Sequence, residues 1–592
     1  MEGRGDPMAA FSKRVSSTSL TVLGVALLAG PPLMAAPPTA APESRLADLA
    51  PTAPVMSCAD LAKVDLSGVV DKPIHITAAA EVTDGKPAPY CGVLGYVEPA
   101  VKFEVRLPLS GWTQRYLQTG CGGLCGRLGI RTGNDMGCAP SQKGELALAS
   151  TDMGHSSDDK AWGADPQKRV DFAYRGVHVT AVAAKALIEK YYGRKPRYSY
   201  FAGCSDGGRE ALMEAQRYPE DFNGITAGAA AMSFVTQNTF YHGWQARVNV
   251  DANGKVILGP EKMPVLHEAA LESCDATDGL KDGLIADPRA CPFDPGVVQC
   301  KPGQDPATCL SAEQVEVARQ IYRGAHDAAG RKLTISGPLV GSELGWPGVQ
   351  VPRTAGGQDI GSRNFATEVV CGLAQDNPMP GSCSLNDLGF DSQSFEKLKV
   401  LHAVSDATDP DLRRFSAAGG KLILWHGWSD QHISPLNSIA YYRAMLDVMG
   451  PEAVKTFARL YLFPGGSHCR GGEGPFNVDL LSAIMSWVET GKAPHELIAY
   501  HTAGGEPGPG GPGGPRGEGG PSLARAPGLL PPTAGEQDRS RPVFPYPLVA
   551  RYTGKGSIDD AANFVEAMPE QQLPEKFDWY GSSFFTPGYQ KW

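Results

Sequence analysis

The 592-residue sequence lacks several features that would assign it to a class at once. It has no Lys/Arg-rich run and a formal net charge of −10, which disfavours binding to nucleic acid or to an anionic membrane. None of its 13 cysteines forms a CxxC pair, which argues against zinc and for disulfides. Beyond the N-terminal segment, no apolar run approaches the roughly 18 residues of a membrane span. We therefore expect a globular protein that binds neither nucleic acid nor an anionic membrane.

The first 36 residues have the order of a secretory signal peptide. Lys13 and Arg14 precede the apolar run LTVLGVALLAG, and small residues follow it. The cysteines lie mostly in loop-like, Gly/Pro-rich sequence, which is typical of proteins whose disulfides form outside the cytosol. We expect residues 1–36 to be removed as a signal peptide and the protein to be exported, either periplasmic or secreted. The odd cysteine count leaves at least one thiol outside the disulfides within one chain.

Strand-like and helix-like segments alternate over about residues 100–230 and again from 421. This alternation predicts an α/β fold with a parallel sheet covered by helices. The rhythm is absent between 233 and 405, a block that holds six of the 13 cysteines and reads as an insertion. The predicted organisation is a core in two parts, 58–232 and 406–500, a lid of 233–405, a flexible Gly/Pro-rich loop of 501–540, and a C-terminal segment of 541–592 that docks on the core.

The stretch GCSDG, residues 203–207, matches the G-x-S-x-G pattern of a nucleophilic serine. It follows the strand-like RYSYFAG and opens a helix, the context in which a sharp turn exposes Ser205. Glycines flank such a turn because bulky neighbours would collide with the adjacent backbone. The start of the helix directs backbone N–H groups at the developing oxyanion.

A serine nucleophile needs a base and an orienting acid, and with this turn they follow in the order Ser, Asp or Glu, His. Asp430 ends the strand-like LILWHGWSD, and His468 follows the strand RLYLF. Both are predicted at the carboxyl ends of parallel strands, where open α/β sheets place ligand sites. His426 precedes the acid, and His432 follows it too closely to face it. Asp206 is the remaining competitor. His155, in TDMGH, is expected either to line the pocket or to be a structural histidine.

Two cysteines adjoin these candidates in the sequence. Cys204 precedes Ser205, and Cys469 follows His468. A disulfide between them would hold the hydroxyl and the imidazole near hydrogen-bond distance, a geometry that otherwise depends on packing alone. The alternative is that each is an ordinary small buried residue.

GCSDGG together with SHC resembles the tannase and feruloyl esterase family, which includes the mono(hydroxyethyl) terephthalate hydrolases. The resemblance extends over about residues 58–580 and includes TDMGH, WHGWSD and RPVFPYPLVARY. It implies an α/β-hydrolase core with a large inserted lid domain. The family's Cys-Ser-Asp-His-Cys arrangement corresponds here to Cys204, Ser205, Asp430, His468 and Cys469.

The oxyanion hole needs two N–H donors. One is expected from Asp206, the residue after the nucleophile, and the other from the glycine-rich TGCGGLCG, at Gly122 or Gly123. A tight turn is the alternative role of those glycines. Cysteines at 121 and 125 set this loop apart from better-known family members.

The insertion contains an acidic turn, CDATDGLKDGLIADPRAC, that is suited to a hard cation. Its carboxylates can converge where the loop turns on glycines, and carbonyl oxygens can complete the shell. The expected ligands are Asp275, Asp278 and Asp282 with the carbonyls of Leu280 and Leu284. The resemblance implies a structural calcium ion here; three solvated carboxylates without an ion are the alternative.

The remaining cysteines are expected to form further disulfides. Cys274 with Cys291 would close the acidic turn, the resemblance implies Cys300 with Cys309, and proximity favours Cys371 with Cys383. Cys91 is paired with Cys138. Cys58 then takes either Cys121 or Cys125, and the sequence does not choose between them.

The resemblance implies an exported serine carboxylesterase that hydrolyses esters of aromatic acids such as gallate or ferulate, without a redox or nucleotide cofactor. The lid aromatics expected to stack on a phenolic ring are Phe240, Tyr241, Trp244 and Trp346. A terephthalate-monoester hydrolase is an alternative, for which Arg363 would bind the free carboxylate. A peptidase and a non-catalytic, calcium-stabilised binding protein are the rivals, and the oligomeric state is not indicated.

Overall fold

The structure, a computed structural model, describes residues 46–132, 137–374, 383–502 and 537–588. The predicted signal peptide and most of the predicted Gly/Pro-rich loop lie outside the described residues. None of the described helices combines the length and the apolar character that a membrane span requires.

A nine-stranded mixed sheet forms the centre of the described core, in the order β1-β2-β3-β5-β4-β6-β7-β8-β9. The first three strands are antiparallel, and the sheet is parallel from β5 through β9. The strands are β1 (Ile74–Val82), β2 (Tyr90–Val97), β3 (Val101–Pro108), β4 (Arg115–Thr119), β5 (Leu146–Thr151), β6 (Tyr198–Cys204), β7 (Gly224–Gly228), β8 (Lys421–Gly427) and β9 (Ala458–Phe463).

The helices divide between the core and the inserted block. Those of the core are α1 (Ala139–Gln142), α2 (Pro166–Val170), α3 (Gly176–Tyr192), α4 (Asp206–Arg217), α11 (Arg413–Ala417), α12 (Leu436–Met449), α13 (Pro451–Lys455) and α14 (Leu480–Thr490). Those of the insertion are α5 (Phe234–Thr236), α6 (His242–Val248), α7 (Met263–Cys274), α8 (Ala312–Arg323), α9 (Gly361–Gly372) and α10 (Ser392–Ser405).

Both faces of the parallel strands are covered, as their nearly continuous apolar sequences require. In β8, Leu422 and Leu424 belong to one buried cluster and Ile423 and Trp425 to another. The first cluster includes side chains of α3, α4 and α12, and the second includes side chains of α14. The sheet is therefore a middle layer between helices, and its strand ends present the loops that carry the site.

The inserted block has a core of its own, in which Trp346, Leu266 and Ile321 are buried together. The C-terminal part returns to the core: β11 (Gln537–Val543) pairs with β10 (Leu497–Thr502), and β12 (Val549–Tyr552) pairs with β13 (Phe564–Ala567). Residues 501–502 and 537–540 are thus strand, although the sequence predicts them as part of the flexible loop.

Six disulfides link the described cysteines. The pairs are Cys58–Cys91, Cys121–Cys125, Cys204–Cys469, Cys274–Cys291, Cys300–Cys309 and Cys371–Cys383. The last four are those that the sequence predicts. The pairing of Cys91 with Cys138 is wrong, as are both partners predicted for Cys58, because β2 places Cys91 beside the short helical turn that begins at Cys58. Cys138 is buried and belongs to none of the six disulfides.

Candidate active site

Ser205 lies in the sharp turn between β6 and α4, with φ 65° and ψ −121°. This backbone conformation is strained for a residue other than glycine and is typical of functional turns. The flanking glycines are required by space. A Cβ on Gly203 would lie 2.2 Å from the carbonyl oxygen of Gly207, and one on Gly207 would lie 2.8 Å from that of Cys121.

The acid and the base come from the loops after β8 and β9. The Nδ1 of His468 lies 2.8 Å from Asp430 Oδ2. Because a carboxylate only accepts, this nitrogen is the donor, which leaves Nε2 of His468 as the basic nitrogen. The other oxygen, Oδ1, accepts the backbone N–H groups of His432 and Ile433 at 2.8 and 2.9 Å.

Asp430 is fully buried and remains the charged partner of this pair. Burial acts to raise the pKa of Asp430. The charge of His468 and the hydrogen bonds from His426 and His468 outweigh burial, and together they hold that pKa well below its usual range. The carboxylate can therefore orient the imidazole and stabilise its charged form.

The Cys204–Cys469 disulfide ties the residue before Ser205 to the residue after His468. The two sulfurs are 2.11 Å apart, and the bridge joins positions 265 residues apart in the chain. The Ser205 hydroxyl forms no hydrogen bond to His468 within the described part of the chain. Such bonds are often long in unliganded hydrolases and shorten when substrate binds.

The loop 120–126 lies directly over the first turn of α4. The Gly207 N–H donates to the carbonyl oxygen of Cys121 at 2.8 Å, and the Cys121–Cys125 disulfide spans the two predicted oxyanion glycines. A Cβ on Gly122 would meet no atom within 4 Å, so this glycine borders open space. Gly123 has a φ of 64°, which favours glycine.

Comparison with known proteins assigns the sequence to one family. The profile described as "Tannase and feruloyl esterase" matches residues 88–567. The chain belongs to the tannase and feruloyl esterase family. It is 31% identical over 566 residues to an uncharacterised esterase of Xanthomonas campestris pv. campestris, covering 86% of this chain and 91% of that protein.

A second relative and a solved structure support the same family and fold. A mono(2-hydroxyethyl) terephthalate hydrolase of Piscinibacter sakaiensis is 31% identical over 544 residues, covering 82% of this chain and 84% of that protein. The crystal structure of feruloyl esterase B from Aspergillus oryzae superposes with a TM-score of 0.70 at 23% identity, covering 86% of this chain and 99% of that chain, and so shares its fold. This tannase and feruloyl esterase family member is an α/β hydrolase and a carboxylic ester hydrolase.

The competing residues of this family member have other partners. His426 is fully buried, with Nδ1 2.8 Å from the Ser438 hydroxyl and Nε2 3.0 Å from Asp430 Oδ2, so it helps to orient the acid. The Nε2 of His155 lies 2.7 Å from the Leu124 carbonyl oxygen, and its ring stacks on Trp162. His155 therefore holds the loop 120–126, which contains the predicted oxyanion glycines.

The aromatic residues predicted to contact substrate are mostly structural. Phe240 and Trp346 are 0% exposed, the first against Phe390 and Phe395 and the second inside the lid core, so neither offers a face to a ligand. Tyr241 is also buried, and its hydroxyl donates to the Gln431 carbonyl oxygen at 3.0 Å. For these three the prediction is wrong. Trp244 is half-buried against His326, and for it the prediction stays open.

A group of rings that the sequence does not predict lies beside His468. The rings of His432 and His468 are 4.8 Å apart, those of His242 and His432 are 5.7 Å apart, and Phe365 stacks on His242 at 5.2 Å. Burial lowers the pKa of His242 to about 3 and that of His432 well below its usual range, with the charge of His468 adding to both shifts. These two imidazoles are therefore neutral wall groups near Gly123, whose Cβ position is 3.9 Å from Phe365.

Lid residues also fix the loop that carries the acid. Gln350 Nε2 and the Tyr241 hydroxyl both donate to the Gln431 carbonyl oxygen, at 2.5 and 3.0 Å. The side-chain oxygen of Gln431 accepts the N–H of His468 at 3.3 Å. The lid thus positions both Asp430 and His468, and no local pattern in the sequence signals these contacts.

Two buried acidic residues of α4 lie next to the turn that carries Ser205. Arg209 binds Asp206 through Nε and Nη2 at 2.6 and 3.0 Å, in a pair that is almost fully buried. Glu210 Oε1 lies 2.7 Å from the sulfur of Cys121. Burial, and then the charge of Asp206, raise the pKa of Glu210 well above its usual range. Glu210 is therefore a neutral carboxylic acid that contacts the loop 120–126 at Cys121.

The acidic turn of the lid is held by its own backbone. Asp275 accepts the N–H groups of Asp282 and Gly283, each at 3.0 Å. Burial, together with the neighbouring acidic side chains, raises the pKa of Asp278 and of Asp282. The three carboxylates are not among the described groups whose ligand atoms all lie within 4.8 Å of one another. A shared cation would thus draw on the carbonyls of Leu280 and Leu284 as well.

Proposed function

We propose that the protein is a serine esterase in which Ser205 is the nucleophile, His468 the base and Asp430 the orienting acid. The observation that carries the proposal is the Cys204–Cys469 disulfide, which joins the strained Ser205 turn to the imidazole that is hydrogen-bonded to Asp430. A binding protein has no need of this combination.

In the first step, Nε2 of His468 takes the proton of the Ser205 hydroxyl as Oγ attacks the ester carbonyl carbon. The negative charge that develops on the carbonyl oxygen is stabilised by the backbone N–H of Asp206 and by one from Gly122 or Gly123. The imidazolium then gives its proton to the leaving alcohol, and the C–O bond breaks to leave an acyl group on Ser205.

In the second step, a water molecule gives a proton to Nε2 of His468 and attacks the acyl carbon. The bond to Ser205 Oγ breaks, and the serine recovers its proton from the imidazolium. The products are one carboxylic acid and one alcohol, and the residues return to their initial state.

The proposed substrates are esters of phenolic acids such as ferulate and gallate. Support comes from the family and from Phe365 and His242, whose stacked rings lie beside the oxyanion loop and are suited to an aromatic acyl group. A terephthalate monoester is the second candidate. Arg363, half-buried in α9, makes no ion pair among the described residues and is available for a carboxylate.

A panel of methyl ferulate, methyl gallate, chlorogenate, a terephthalate monoester and an amide analogue of ferulate tests this proposal. We expect hydrolysis of the phenolic esters, none of the amide, and loss of all turnover in Ser205→Ala. Preference for the terephthalate monoester, lost selectively in Arg363→Ala, would favour the second candidate. Amide cleavage would indicate a peptidase, and inactivity on every ester would contradict the proposal.

We also propose a structural Ca²⁺ in the lid, held by Asp275, Asp278 and Asp282 with the carbonyls of Leu280 and Leu284. The environment of Asp278 supports it: burial, and then the charges of Asp282 and Asp275, raise the pKa of Asp278, and a divalent ion would relieve that repulsion. Asp282 also pairs with Arg541. Export is proposed on the six disulfides and on the order of the first 36 residues.

A further inference from the structure

A second cluster of ionisable side chains lies at the end of the nucleophile helix that is remote from Ser205. It consists of His178 in α3, Glu214 in α4 and Asp221 in the loop after α4. One ligand atom from each lies within 4.8 Å of the others. Glu214 is nine residues beyond Ser205, or about 14 Å along the helix axis, so the cluster is separate from the active site.

The buried carboxylate of Glu214 is the observation that points to a bound ligand. It is 0% exposed, and neither of its carboxylate oxygens has a hydrogen-bond partner among the described residues. A buried carboxylate without a donor is costly. It also lies in the last turns of α4, where the helix dipole disfavours a negative charge. The position therefore favours a bound cation or proton.

The positive charge nearby is directed at Asp221 rather than at Glu214. Lys185 Nζ lies 3.6 Å from Asp221 Oδ1 and donates to the backbone carbonyl oxygen of the same residue. Lys185 therefore pairs with Asp221, and it acts on Glu214 only through space, without a hydrogen bond to that carboxylate.

The imidazole is fixed and can be reached from solvent. His178 Nδ1 lies 2.5 Å from Asp221 Oδ2, and the ring stacks on Tyr218 with centroids 3.8 Å apart. Its side chain is 30% exposed, which provides an entry path for an ion. One imidazole and two carboxylates form a ligand set that suits Zn²⁺ and similar divalent transition metals.

We propose that His178, Glu214 and Asp221 bind one divalent transition-metal ion, which joins α3 to the end of the nucleophile helix. Binding requires Glu214 as a carboxylate, so a proton held by Glu214 passes to solvent together with the proton on the coordinating nitrogen of His178. Water completes the coordination shell. The role is structural, independent of the esterase proposal and of the calcium site in the lid.

The test is titration of the chelator-treated, disulfide-intact chain with Co²⁺, followed by visible absorption and equilibrium dialysis. We expect one Co²⁺ per chain, displaced by Zn²⁺, and a thermal midpoint that rises with Co²⁺. Glu214→Gln and His178→Gln should each weaken binding at least about tenfold. Near-ultraviolet circular dichroism shows whether each variant is folded, and His178→Gln, at a half-buried position, tests the site should Glu214→Gln not fold.

Two controls locate the ion. His75→Gln alters an exposed His–Glu pair, in which His75 lies 2.8 Å from Glu98, and Asp278→Asn alters the lid turn. Both should bind Co²⁺ like the unaltered chain. Absence of Co²⁺ binding in the unaltered chain, or full binding in His178→Gln, would overturn the proposal; the latter would place the ion elsewhere, for example on the histidines beside His468.

Discussion

Each of the two carboxylate oxygens of Asp430 accepts two hydrogen bonds. Two backbone N–H groups bind Oδ1, and the imidazoles of His426 and His468 bind Oδ2. A carboxylate held in this way stays ionised despite full burial, because the hydrogen bonds replace the lost water. It also selects the tautomer of His468 in which Nδ1 carries the proton and Nε2 is the basic nitrogen.

Asp430→Asn should lower kcat by about 10³- to 10⁴-fold, because an amide N–H directed at Nδ1 favours the wrong tautomer of His468. Steady-state kinetics on methyl ferulate measure the effect. Asp406→Asn is the matched control, since Asp406 is also fully buried and lies 2.6 Å from His402. An Asp430→Asn variant with the kcat of the control would exclude this role.

At the scale of elements, the active site depends on connections between segments that are distant in the chain. The Cys204–Cys469 disulfide joins the β6–α4 turn to the loop after β9. The strain at Ser205 is held by this bridge and by the glycines that allow α4 to approach β6 closely. Removal of the bridge should therefore change geometry at the reacting atoms before it changes the fold.

The double variant Cys204→Ala/Cys469→Ala should lose about 10²-fold or more in kcat, since a displacement of about 1 Å in a catalytic group has that effect. Cys300→Ala/Cys309→Ala is the control, because this disulfide lies in the lid and closes a separation of nine residues. We expect its kcat to match that of the unaltered enzyme. Equal losses in both would indicate a general stability effect instead.

A second connection joins the lid to the loop that carries His468. His267 in α7 lies 2.7 Å from Glu343 Oε2 through Nδ1 and 2.8 Å from Glu473 Oε2 through Nε2. Burial acts to lower the pKa of His267, but the two carboxylates outweigh it and raise that pKa to about 10. His267 is therefore an imidazolium that links lid to core at neutral pH.

His267→Gln should lower the free energy of unfolding by about 2 kcal/mol at pH 6. The folded-state pKa lies above the unfolded value of about 6.5, so this stabilisation is complete below pH 6.5 and is lost as the pH rises towards 10. Urea unfolding at pH 6, 8 and 10 measures it. In this variant Glu343 still accepts hydrogen bonds from the Tyr322 hydroxyl and the Gly341 N–H, so the change does not leave it without a partner. A deficit that does not shrink with pH would contradict the assignment.

At the scale of the whole molecule, the inserted block 233–405 supplies walls and supports of the site. It has a buried cluster of its own around Trp346, and its contacts with Gln431 position both Asp430 and His468. The proposed calcium ion would stabilise the same block without touching the reacting atoms.

Removal of calcium should lower the thermal midpoint, and added Ca²⁺ should restore it, whereas Mg²⁺ should not because it requires a smaller octahedral shell. Differential scanning calorimetry measures this. Asp278→Asn should abolish the response. Asp294→Asn, which alters an exposed lid aspartate paired with Arg319, should retain it. A calcium response that persists in Asp278→Asn would place the ion elsewhere.

The parts of this architecture that could be predicted are those encoded by adjacent residues. The GCSDG turn between an apolar strand and a helix is local, and the cysteines beside Ser205 and His468 reveal a long-range pairing because each adjoins a catalytic candidate. Pairings that depend only on tertiary contact could not be predicted. Cys58–Cys91 arises because the short helical turn that begins at Cys58 lies beside β2, which carries Cys91.

The difference between local patterns and tertiary contacts also explains why aromatic residues of the pocket were predicted wrongly. Phe240 and Trp346 are aromatic residues of the inserted block, but a block of this size needs apolar residues for its own packing. Both side chains are buried and therefore do not reach a ligand. His242, Phe365 and His432 belong to α6, α9 and the loop after β8, and no spacing relates them. Only the folded lid brings their rings together beside His468.

Labelling with a fluorophosphonate tests the central claim most directly, because this reagent reacts far faster with a serine that a neighbouring base activates than with an ordinary hydroxyl. Intact mass and peptide mapping should show one adduct per chain, on Ser205, with loss of esterase activity in proportion to labelling and no adduct in Ser205→Ala. Labelling at another residue, or full ester hydrolysis by Ser205→Ala, would contradict the account.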